Sequence, residues 1–165
     1  MEFPEFELFL RPDSASFLEG EQRLIRKGEG AIADLKAFFS AEARNEFDVP
    51  YCRLGKAMRC ALETVCRLGP IAKALEPYLR AELALGNFVA ATALGSLGSL
   101  DEESIIMLAA CLGEKNADLS SESAAALIKC KQGDHPSVTA SRANSDRAEK
   151  TFSRIKAYID SKQRA

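Results

Sequence analysis

The chain has 165 residues, 47 % of them hydrophobic, enough to bury a continuous core and too many for a disordered segment. Its 22 bases against 24 acids leave a net charge of −2, where a general nucleic-acid binder shows a clear basic excess. Tryptophan is absent and strand-favouring clusters are few, which predicts an all-helical chain.

Residues 1–13 read as an amino-terminal arm. Phe3, Phe6 and Phe9 recur every three residues, so one side of a helical turn is aromatic and can cap the helices that follow. The start Met1-Glu2-Phe3-Pro4-Glu5 is acidic where a secretory signal is basic, and a cytoplasmic protein is expected on this basis. A first helix is expected from Ser14 or Ser16, either hydroxyl serving as cap, with Phe17, Leu18, Leu24 and Ile25 on its apolar face. Ile32, Leu35, Phe38 and Phe39 give its partner. Ser40 to Pro50 then breaks the periodicity with Asn45, Asp48 and Pro50, an insertion of the kind that serves binding.

The next helix carries the stripe Leu54, Met58, Ala61, Leu62, Val65 and Leu68. Gly69-Pro70 makes a turn and a helix start. Ile71, Leu75, Tyr78 and Leu79 form the stripe beyond it, with a kink or restart expected at Pro77. The longest run without charge is Leu83 to Leu100; its glycines and small residues predict a tightly packed, buried helix pair centred on Phe88, Ala91, Leu94 and Leu97 rather than a membrane span. Asp101, Glu102 and Glu103 open the following helix, where the positive end of the helix dipole favours acids. Ala124, Leu127 and Ile128 form a short stripe after Ser120 or Ser121. Gln132 to Ser145 reads as a polar connection, and residues 146–162 as a closing helix with Ala148, Phe152, Ile155 and Ile159 inward.

Four turn glycines, Gly28, Gly69, Gly98 and Gly133, stand 41, 29 and 35 residues apart, each between apolar helical stretches. A recurrence in this range is the mark of stacked helical pairs. The run from Arg67-Leu68-Gly69-Pro70-Ile71-Ala72 to Tyr78-Leu79, followed by Ala90-Ala91-Thr92-Ala93-Leu94-Gly95-Ser96-Leu97-Gly98, resembles HEAT-like repeats of the short, glycine-hinged bacterial kind. The likeness is good over residues 54–113, weaker over 14–43 and poor past 120. It implies one domain over 1–165, a right-handed α-α superhelix or short α-solenoid of about four helical pairs across 14–131.

Chemistry-bearing patterns are sparse. His135 is the one histidine, and a pairing with Cys130 has no local signature of a cysteine nucleophile. Cys52, Cys60, Cys66, Cys111 and Cys130 lack zinc-ligand spacing and read as reduced thiols packed in a cytosolic protein. No cofactor, metal or catalytic role is expected. Residues 1–50 carry 11 acids and 6 bases, residues 129–165 carry 4 acids and 9 bases, a polarity able to orient a partner.

The resemblance implies a non-catalytic protein-binding module whose second helices and insertion meet a partner. The contact set expected on this basis is Lys36, Glu42, Glu46, Asp48, Lys73, Glu76, Arg80, Glu102 and Glu103. Small acidic proteins of this build resemble bacterial immunity proteins that cover a toxin domain, and acidic loops suit a basic toxin. A structural adaptor in a larger assembly and a lyase of the pigment-attaching HEAT-repeat type are the alternatives.

Overall fold

A computed structural model describes residues 2–164. Met1 of the arm and Ala165 lie outside them. The described residues are helical and hold no strand; an isolated antiparallel bridge joins Arg44 and Pro50. Packing divides the chain into two units, Met1–Tyr78 and Leu79–Ala165, where the sequence reads as one domain.

In the first unit the arm is a helix, Pro4–Leu10 (α1), opened by a proline that forfeits no hydrogen bond there. It lies on Ser14–Lys27 (α2) and Gly55–Leu68 (α4). Phe6 and Phe9 are fully buried, and Phe6 meets the rings of Phe38 and Tyr51 at 5.0 and 5.6 Å. Asp13, not Ser14 or Ser16, caps α2 by accepting from the Ser16 amide at 2.7 Å. Leu24 is buried as expected, but Leu18 is 46 % exposed, because α1 covers the neighbouring face where Gly20 lies against it. Gly30–Phe39 (α3) follows, burying Leu35 and Phe38.

Gly28 and Gly69 end α2 and α4 with φ of 54° and 60°, the left-handed region that other residues enter only with strain. A 3-10 helix, Gly69–Leu75, leads into Glu76–Ala84 (α5), so the chain restarts one residue before Pro77. Ile71 lies outside the core at 49 % exposure, since the tighter 3-10 winding turns it away from Ala72 and Leu75.

The second unit contains Phe88–Ser96 (α6), Glu102–Cys111 (α7), Ala117–Lys129 (α8), Pro136–Asn144 (α9) and Asp146–Gln163 (α10). α8 packs on α6, α7 and α10. Ala90, Ala91, Ala93, Leu94, Gly95 and Leu97 are all buried, whereas Phe88 at the start of α6 is 39 % exposed. Asn116 caps α8 through the amides of Asp118 and Leu119, so this helix begins ahead of Ser120.

The stretch expected as a polar connection holds α9. His135 is its cap, the ring Nδ1 accepting from the Ser137 amide at 3.1 Å, and Pro136 supplies the first turn. The left-handed residue after α8 is Lys131, φ 58°, not Gly133, which instead makes room for the Phe152 ring.

Candidate functional site

The insertion is a built loop. Its ends are anchored where the Ala43 amide donates to Ala37 and the Tyr51 amide donates to Ala43, with Ala43, Pro50 and Tyr51 buried. Between them Asn45 acts as the organiser. Its Oδ1 accepts from the amides of Phe47 and Val49 at 3.0 Å each, its own amide donates to Val49, and the Asp48 amide donates back to Asn45. Asp48 sits at φ 59°, a conformation its short polar side chain tolerates. Arg44 Nη1 donates to the Asp48 carbonyl at 2.9 Å and lies 3.3 Å from its carboxylate.

The outcome is a ring held in water. Phe47 at the tip is 75 % exposed and Val49 is partly exposed beside it, with Glu42, Glu46 and Asp48 exposed around them. Ordering a loop on contact costs affinity; this one is ordered beforehand. Charge and periodicity mark Glu42, Glu46 and Asp48 but not Phe47, the most exposed aromatic of the group; an aromatic between two carboxylates inside an insertion is the signal that marks it.

A cleft of about 630 Å³ lies on the flank of this loop, with Arg44 and Glu46 on one wall and Glu7 and Arg11 of α1 and Arg23 of α2 among its other residues. Tyr51 also lines it and donates its hydroxyl to Glu7 Oε1. Burial, then the Glu7 carboxylate, hold the Tyr51 phenol well above its usual range, so it stays a donor at neutral pH.

In the second unit three expected contact residues come together at the start of α7. Arg80 Nη2 reaches Glu103 at 2.9 Å, while its Nη1 lies 3.3 Å from Ser104 Oγ and 3.7 Å from Asp101. Glu102 faces His135 Nε2 at 3.0 Å. With Nδ1 accepting from the Ser137 amide, the ring proton belongs on Nε2, so both nitrogens are engaged. Cys130 is buried and turns its thiol toward the carbonyl oxygens of Leu94 and Gly95 at 3.9 and 3.6 Å.

Lys36 is exposed on α3. Glu76, expected at a contact face, is fully buried and pairs with Lys73, so it offers no surface to a partner; the restart at Pro77 points it inward. Among the described residues no three His, Cys, Asp or Glu side chains converge as a metal site would need, and no helix is long and apolar enough to cross a membrane. Comparison of the chain with protein-family models, with curated proteins and with solved structures gives no match.

Proposed function

We propose that this protein is a non-catalytic binding module of the immunity type, which covers and neutralises a basic toxin domain in the cytoplasm. Phe47 carries the reading: an aromatic ring presented to water on a loop already fixed by Asn45 and Arg44. Rigid aromatic anchors dominate the binding energy of protein interfaces, and the carboxylates of Glu42, Glu46 and Asp48 around this one suit a basic surface. The architecture we propose for the chain is a short α-solenoid of about four HEAT-like pairs, a reading supported by left-handed glycines at the turn positions Gly28, Gly69 and Gly98.

Affinity purification from the native cell tests the function. A single small, basic protein should be recovered in equimolar amount. Phe47→Ala should weaken it by about 2 kcal/mol or more, roughly thirtyfold, and Glu46→Lys should slow association. Recovery of several large partners or a coloured ligand, or a toxin complex indifferent to Phe47→Ala, overturns the reading.

A further inference from the structure

Helix α7 is apolar on both of its sides. Ser104, Ile105, Leu108 and Ala109 turn inward and are buried, as the core requires. On the opposite side a surface helix ordinarily carries charge. Here Ile106 is 48 % exposed, Ala110 is exposed, and Met107 and Cys111 are half-buried. No charged residue occurs from Ser104 to Gly113. Within α7, positions 103, 106, 107, 110 and 111 are linked by spacings of three and four and therefore share a face.

The loop before α6 enlarges that face. Leu85, 80 % exposed, stands beside it, and a groove of about 430 Å³ runs between them, lined by Leu83, Leu85, Met107, Ala110, Cys111 and Leu119. Glu114 is its one charged lining residue. Carboxylates also stand at the far end of the helix, Asp101, Glu102 and Glu103, with Arg80 half-buried among them and Lys115 next to Glu114. The apolar stripe thus has an acidic excess at its ends, four carboxylates against two bases.

We infer that the outward face of α7, with Leu85 beside it, docks an amphipathic helix of a partner protein whose apolar stripe is flanked by lysine or arginine. The apolar part fits because helices pack side by side through such stripes, with Leu and Ile entering grooves between neighbouring residues. The charge selects a basic partner segment over an acidic one, since like charges facing each other across an interface cost affinity. The face belongs to the second unit and the Phe47 loop to the first, and its occupant is not required to be the toxin domain.

The full chain is titrated with a fluorescent helical peptide of leucine and lysine, about five turns long with leucine on one face, and with the same peptide carrying glutamate in place of lysine. The lysine peptide binds and the glutamate peptide does not. Ile106→Asp weakens the lysine peptide at least about tenfold, and Glu114→Lys weakens it less while flattening its dependence on salt. Leu85→Ser lies in an exposed loop and leaves the packing of α7 untouched, so it reports on the groove even where Ile106→Asp unfolds the helix. Phe47 is intact in all three variants, so these results stand apart from those on the insertion. Equal binding of the two peptides, or lysine-peptide binding unchanged in both Ile106→Asp and Leu85→Ser, overturns the inference. So does a wild-type dimer that Leu85→Ser dissociates, for a second copy would then be the occupant.

Discussion

Replacing Gly95 by alanine sets two well-known effects against each other. Alanine is the better helix former by about 1 kcal/mol, so propensity alone predicts a gain. The geometry predicts a loss. A Cβ at Gly95 would stand 2.8 Å from Ala126 Cα and 3.1 Å from Ala126 Cβ, where carbon atoms settle at about 3.5–4.0 Å. The obstacle is α8 backbone, which cannot rotate aside, so α6 and α8 must part along their length. Leu94 and Leu127 are buried in these helices, Cys130 is buried directly after α8, and all three would lose contacts. Overpacking of this kind costs about 1–3 kcal/mol, and an obstacle of backbone atoms belongs at the upper end, which leaves a net loss of up to about 2 kcal/mol after the propensity gain. Gly30→Ala is the control. Its new methyl would meet only Lys27 Cβ at 3.6 Å, an ordinary contact, and up to about 1 kcal/mol of gain should survive. Urea unfolding followed by circular dichroism reads both variants. A Gly95→Ala midpoint equal to or above that of the wild type would refute the close approach of α6 and α8.

Three further outcomes follow from individual side chains. Glu149 accepts from Arg142 Nε at 2.8 Å, Arg142 Nη2 at 3.1 Å and Ser153 Oγ at 2.7 Å, and these bonds, the guanidinium first, pull its carboxyl from 4.5 down to about 2. A depressed carboxylate contributes stability above its ordinary value that is lost on acidification; the stability gap between wild type and Glu149→Gln should therefore close as pH falls from 4.5 toward 2, and a constant gap in acid titrations would contradict it. Tyr51→Phe removes the donor to the Glu7 carboxylate and should cost about 1.5 kcal/mol in urea melts, whereas a neutral result would mean that water replaces the hydroxyl. Burial pushes the Cys60 thiol up to about 11, so iodoacetamide at pH 8 should alkylate it only after denaturation; native labelling at the rate of a small free thiol would count against its burial.

Elements with strong apolar periodicity were readable from residues alone. The stripe Met58, Ala61, Leu62, Val65 and Leu68 is buried, and the glycines at 28, 69 and 98 do take left-handed turns. α9 was not readable, since Pro136 to Asn144 buries Val138 alone and is capped by a histidine, which lies outside the usual set of Ser, Thr, Asp and Asn. Glu76 shows the other failure. A carboxylate following Lys73 reads as surface, and only the 3-10 winding before Pro77 puts it inside. Around Phe47 the acids were legible as charge. The ring was not, because an exposed aromatic and a core aromatic look alike until the Asn45 hydrogen bonds fix its direction.

Helix α1 has a consequence for biogenesis. Phe6 and Phe9 leave the ribosome long before α4, against which α1 packs, has been made. Until then the nascent chain displays a sticky aromatic segment, and chaperones have time to engage it. A fusion partner joined rigidly ahead of Pro4 would hinder that late docking, so a tag is better carried after α10.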